Sequence, residues 1–131
     1  ITIMKNLKIG IDIDGTITSA PDFFRQLTEQ MSEIADIHII TFRPKKYKFE
    51  TIQQLSELGI KYDHLVFTDN KADYIMQNYI TIFFEDMDEF IVDLPSSVTV
   101  FKIREKGNFD FEEKKWIYTP RTGYNEFKGP E

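Results

Sequence analysis

Two carboxylates one residue apart close the first strongly apolar run of the chain, in Ile9-Gly10-Ile11-Asp12-Ile13-Asp14-Gly15-Thr16. Placed side by side, Asp12 and Asp14 repel each other, so the arrangement calls for a counter-charge. Further polar groups follow later apolar runs: Thr41 and Arg43 in Ile39-Ile40-Thr41-Phe42-Arg43, Lys71 in Thr68-Asp69-Asn70-Lys71, and Glu85-Asp86 after Ile82-Phe83-Phe84. Oxygen ligands without His or Cys suit a hard cation such as Mg²⁺, which removes the Asp–Asp repulsion and holds a phosphate oxygen. One carboxylate is then able to attack phosphorus as a nucleophile. A second, protonated, donates to the leaving oxygen and later activates water. A Lys ammonium ~4 Å from a carboxylate or phosphate gains roughly 4 kcal/mol at an effective dielectric near 20.

The elements that must position these groups are legible from periodicity. Leu7 to Ile13 reads as a short β-branched strand. Pro21 opens a helix with Phe23, Phe24, Leu27, Met31 and Ile34 at helical spacing. Ile37 to Phe42 is a second strand, and Pro44 opens a second helix that Gly59 stops. His64 to Thr68 is the third strand, followed by a short helix to about Asn78 for which Thr68, Asp69 and Asn70 offer caps. Ile80 to Phe84, Met87 to Leu94 and Val98 to Ile103 read as strand, helix and strand. Strict β/α alternation implies an α/β fold, a parallel sheet with helices on both faces. In such a sheet ligands bind beyond the carboxyl ends of the strands, and all the polar groups named above converge on that rim.

Composition bounds the function. The 131 residues fit a single domain, 1–131, with a core over 7–103 and a tail over 104–131. The tail mixes charge with Phe109, Phe111, Trp116, Tyr118, Tyr124 and Phe127, and is expected to pack on the core or at an oligomer interface. No apolar run approaches the ~20 residues of a membrane span, and no secretory signal precedes the first strand. The absence of cysteine excludes disulfides and thiolate chemistry and fits a cytoplasmic location. A net charge of −6 speaks against wrapping nucleic acid. His38 and His64 lie in or beside predicted strands without the short spacing of a zinc motif, so a structural role is expected of each.

Asp12-Ile13-Asp14-Gly15-Thr16 resembles the DxDGT signature of the haloacid dehalogenase (HAD) superfamily of Mg²⁺-dependent aspartyl phosphatases. Thr41, Lys71 and Glu85-Asp86 resemble its other three motifs, in order, over about residues 7 to 103. The resemblance implies a three-layer Rossmann-like sheet of order 3-2-1-4-5. It makes Asp12 the nucleophile and Asp14 the general acid/base. Thr41 would hydrogen-bond the phosphoryl group, and Lys71 would bind phosphate and steady Asp12. The metal would sit on Asp12, the Asp14 main-chain carbonyl and Glu85 or Asp86, with Glu85 the first choice. Two departures stand out: Glu-Asp replaces the commoner Asp-Asp or Gly-Asp, and Phe42 follows Thr41 where a small residue is usual.

Each residue also has a simpler account. Asp14-Gly15 makes an ordinary turn, Thr41 a strand residue, Lys71 a solvated helix residue, and Glu85-Asp86 a pair favoured at a helix N-terminus. Their joint fall on one rim is what speaks for a site. The gaps between motifs leave no room for a cap domain, so an open site is expected, suited to a bulky substrate or closed by a second copy of the chain. Arg43, Lys45, Lys46 and Lys48 oppose the dipole of the second helix, at ~0.3–1 kcal/mol each when exposed. They make a solvated basic face or hold an anionic substrate, a nucleotide or sugar phosphate. Two alternatives to hydrolysis remain: a phospho-receiver signalling module, with Asp69 as the phosphorylated group on a sheet of order 2-1-3-4-5, and a non-catalytic phosphate-binding relative.

Overall fold

The computed structural model describes residues 5–104, 109–110 and 114–116. Strand β1 (Leu7–Ile11) leads to helix α1 (Pro21–Met31), β2 (Ala35–Thr41), α2 (Lys48–Leu58), β3 (His64–Phe67), α3 (Lys71–Gln77), β4 (Ile82–Glu85) and β5 (Thr99–Lys102). The five strands form one sheet in the order β3-β2-β1-β4-β5, every pairing parallel. This is the expected α/β architecture and order.

The pleat divides the core. Ile9, Ile11, Ile37 and Ile39 point to one face and pack with Phe24 of α1 and Leu55 of α2. Ile40 and Phe83 point to the other and pack with Ile75 of α3 and Ile80. Burial on both faces is why the strands read as nearly continuous apolar runs. Gly10 faces the α3 side, where an added Cβ would stand 2.9 Å from Ile40 Cδ1 and 3.1 Å from Phe83 Cδ1. Side chains of the neighbouring strands already fill that space. Gly59 closes α2 at φ 73°, a left-handed cap with Ile60 N–H donating to the Leu55 carbonyl at 3.0 Å.

Several boundaries differ from the sequence reading. β1 stops at Ile11 and the chain turns at once through Ile13–Ile17. β2 starts at Ala35, before the expected Ile37, because it pairs with β1 from Leu7 onward. Ile34 falls in the connecting turn and is exposed, as is Phe23 on α1. The helix expected over Met87 to Leu94 shrinks to a 3₁₀ turn at Asp88–Phe90. Eight residues with β-branched Ile91 and Val92 nucleate poorly. The Asp86 and Met87 amides, which lead into that turn, are held by Glu85 Oε2 at 3.1 Å each.

Only α1 lies between β1 and β2, and only α2 and β3, with short turns, separate Thr41 from Lys71, so no cap intervenes. In the tail, β6 (Phe109–Asp110) pairs antiparallel with β7 (Lys115–Trp116). The other aromatics of the tail lie outside the described residues. Among the described residues no helix is long and apolar enough to cross a membrane.

Candidate functional site

β1 delivers Asp12 to the rim, its amide donating to the Phe84 carbonyl at 3.1 Å and so continuing the β1–β4 pairing by one step. The chain then reverses at Gly15, φ 82°, a backbone that glycine adopts without the strain a Cβ would add. That turn brings Thr16 back over Asp12: its hydroxyl donates to Asp12 Oδ2 at 2.9 Å and lies 3.2 Å from Asp86 Oδ1. α3 starts at Lys71 because Asn70 Oδ1 caps it, accepting from the Asp73 amide at 3.0 Å. The Lys71 ammonium then reaches Asp12 Oδ1 at 2.7 Å and Glu85 Oε1 at 2.8 Å, with no exposed side-chain surface. Phe90 covers it, ring centroid 4.4 Å from Nζ, and Phe42 packs against Phe90 at 5.2 Å.

Ligand oxygens of Asp12, Glu85 and Asp86 lie within 4.8 Å of one another, and all three residues are buried. One ammonium faces three carboxylates. The structure therefore brings Asp12, Lys71, Glu85 and Asp86 together as read from the sequence. Both Glu85 oxygens are already engaged, one by Lys71 and one by the amides of Asp86 and Met87. Thr41 ends β2, buried, its Oγ1 accepting from the Arg43 amide at 3.1 Å.

Arg43 is placed differently from a free substrate-binding cation. Its Nε and Nη2 grip Asp14 Oδ2 and Oδ1 at 2.9 and 2.8 Å, and Nη1 donates to Thr51 Oγ1 at 3.0 Å. This two-pronged fork presents Asp14 as an acceptor at both oxygens. Arg43 also lines a cavity of about 320 Å³ with Pro44, Lys45, Phe67, Thr68 and Asp69. Asp69 thus stands at this cavity and not among the three clustered carboxylates. Lys46 and Lys48 are exposed, as on a solvated face. Thr16, Thr51 and Phe90 were not singled out by sequence reasoning. Thr16 sits inside the DGT triplet, which was signal enough; Thr51 and Phe90 carry no local signature.

Electrostatics follows from this packing. Burial pushes the Asp12 carboxyl up, but the Lys71 charge, with hydrogen bonding around the carboxyl that includes donation from Lys71 and Thr16, outweighs it and holds it below the usual range. Burial disfavours the Lys71 ammonium, and the charges of Asp12 and Glu85 overcome that and raise its pKa. Burial first and the Asp12 charge second push Glu85 up to about 7, Lys71 recovering only part. The unfolded chain ionises Glu85 near 4.5 and the folded chain retains its proton to about 7. The folded state binds more protons in that window, so Glu85 makes stability fall as pH rises through it. Buried His38, whose pKa is lowered, contributes the opposite slope at acid pH. The expected result is therefore differential: in chelator, melting curves of Glu85→Gln should lack the decline between about pH 4.5 and 7 that the parent's Glu85 contributes. Parallel pH profiles for the two proteins would contradict it.

No protein-family model and no curated protein matches this chain.

Proposed function

We propose that the chain is a Mg²⁺-dependent phosphomonoester hydrolase of the haloacid dehalogenase type, forming an aspartyl-phosphate on Asp12. The observation that supports it most is Lys71, fully buried and bridging Asp12 and Glu85 beside Asp86 at the carboxyl end of a 3-2-1-4-5 sheet. A buried triad of acids against one ammonium has the charge of a site completed by a divalent cation, and its all-oxygen donors fit Mg²⁺. Asp12, the Asp14 main-chain carbonyl and Asp86 would hold the ion, since Glu85 is committed to Lys71 and to its own loop. When bound, Mg²⁺ supplies charge neutralisation for a phosphoryl oxygen and for Asp12.

Asp12 Oδ attacks phosphorus, and the bond from phosphorus to the leaving oxygen breaks. Lys71 lies 2.7 Å from Asp12 and offsets the added phosphoryl charge. Once Arg43 exchanges its fork onto an anionic group of the substrate, Asp14 takes up a proton from solvent and passes it to the leaving oxygen. Asp14 then takes a proton from the water that attacks phosphorus, releasing inorganic phosphate and restoring the Asp12 carboxylate. The adjoining cavity, with Lys45 and Phe67 in its wall, suits the organic part of a nucleotide or sugar phosphate. A receiver module is disfavoured by the strand order and by the position of Asp69.

The test is phosphate release from nucleoside monophosphates and sugar phosphates in millimolar Mg²⁺ and in chelator. Release that needs Mg²⁺ is expected; none with any phosphomonoester would point to the phosphate-binding alternative. Mg²⁺ should also raise Tm, because it binds the folded arrangement of carboxylates. That shift is expected to vanish in Asp86→Ala. A shift that survives in Asp86→Ala and is lost in Glu85→Ala would make Glu85 the direct ligand.

A further inference from the structure

Outside the rim, the described residues contain one other group with metal-ligand chemistry. Asp36 and His38 alternate on β2, and His38 pairs in register with His64 at the start of β3. The three therefore share the α3 face of the sheet. His38 lies three residues before Thr41, ~10 Å along the strand, and Asp36 is farther still. The group is thus separate from the carboxylate rim.

We propose that Asp36, His38 and His64 form a divalent-metal site for a borderline ion of the zinc class, clipping the edge strand β3 to β2. Asp36 already gathers both rings: His38 Nε2 is 3.0 Å from Oδ2 and His64 Nε2 is 3.2 Å from Oδ1. In a tetrahedral site with bonds of ~2.0–2.1 Å, neighbouring ligand atoms stand ~3.3 Å apart, so each nitrogen already stands close to ligand spacing from the carboxylate, and the three ligand atoms lie within 4.8 Å of one another. On the far side of His38, Nδ1 lies 2.7 Å from the Tyr74 hydroxyl on α3. That contact fixes the ring; for Nε2 to ligate, the proton it now donates to Asp36 must give way to one on Nδ1 donating to the Tyr74 hydroxyl, the outer-partner arrangement of metal-bound histidines.

The geometry also says what must move. The two imidazoles stack with centroids 4.3 Å apart and planes 23° apart, so their in-plane lone pairs run nearly side by side. His64 must swing about its Cβ–Cγ bond to converge on one ion. It is half exposed and able to do so, whereas His38 is buried. The Lys8 ammonium, 3.5 Å from Asp36 Oδ2 and partly exposed, is the charge that a dication would displace. With three protein ligands, water completes the tetrahedron on the solvent side of His64.

Zn²⁺ binding at this group requires no phosphatase activity at the rim. Zn²⁺ is titrated into the full chain in saturating Mg²⁺, with calorimetric stoichiometry and Tm as readouts, for the parent, His64→Ala, Asp36→Asn and Asp86→Ala. One Zn²⁺ per chain and a Tm rise of several degrees are expected in the parent and in Asp86→Ala. His64→Ala should bind at least ~100-fold more weakly and lose the Tm rise. His64 is half exposed, so this variant is expected to keep the parent's far-UV circular dichroism. Absence of Zn²⁺ binding, or binding unchanged by His64→Ala, would leave the three residues as a hydrogen-bonded ladder only. Loss in Asp86→Ala with retention in His64→Ala would assign the Zn²⁺ to the carboxylate rim and overturn the proposal.

Discussion

Asp12→Asn is expected to lower phosphate release by on the order of 10⁴–10⁶-fold while leaving the fold intact, the scale of removing a covalent nucleophile. An amide oxygen neither attacks phosphorus competently nor matches a carboxylate as a ligand for Mg²⁺. The local packing tolerates the change. An Asn Oδ1 still accepts from Lys71 at the position where Asp12 accepts at 2.7 Å, and its amide is able to donate toward Thr16 Oγ1, 2.9 Å from the present Oδ2. Removing one charge also relieves Glu85, which the Asp12 carboxylate helps to push up to about 7. Against that relief stands the loss of a charge that the folded site favours, since Lys71 and its hydrogen bonds hold Asp12 below the usual range, so the variant's Tm in chelator should fall modestly and its response to Mg²⁺ diminish. Single-turnover phosphate release and melting curves on the same preparation check both halves. Turnover near that of the parent would take Asp12 out of the nucleophile's role, and an unfolded variant would show that its charge is structural.

Lys71→Met should be strongly destabilising. Lys71 has no exposed side-chain surface and is the ammonium held by both Asp12 and Glu85. Removing one partner of a buried ion pair costs about 3–5 kcal/mol, because the other charges stay buried without compensation. For a chain of this size that corresponds to a fall in Tm on the order of 10 °C. The methionine fills the stem's volume but offers the two carboxylates nothing. The loss should be partly reversed by Mg²⁺, which supplies the missing positive charge, and by mild acid, which protonates Glu85 first. Phosphate release should fall by about 10²–10³ even in saturating Mg²⁺, the scale of losing one preorganised electrostatic contact at a transition state. Urea titrations with and without Mg²⁺ provide the measurement. If Lys71→Met melts like the parent in chelator and turns over normally in Mg²⁺, both the structural and the chemical role fall.

The alternation of strands and helices, the rim on which Asp12, Lys71 and Glu85-Asp86 meet, and the cap at Gly59 were legible in the sequence. Strand and helix periodicities depend on near neighbours along the chain, and parallel βαβ chemistry then leaves few ways to arrange them. Asn70 and Gly59 act within a few residues of themselves, so local rules suffice for them. The run from Met87 to Leu94 misled: its spacing reads as helical, but so short a run nucleates poorly and closes only a 3₁₀ turn at Asp88–Phe90.

What only the tertiary structure decided is which polar groups spend their charge on which partners. Arg43 reads as a free cation in the sequence, yet it closes on Asp14, 29 positions earlier. Lys71 finds Asp12 across 59 positions and Phe90 from a turn that the sequence disguised as a helix. His38 and His64 lack any short metal spacing, and only the β2–β3 register sets them side by side over Asp36. Such contacts are chosen by strand register and by which side chains exclude water from one another. Register is a property of the packed sheet: a one-residue slip of β2 would send Asp36 and His38 to the opposite face, away from His64.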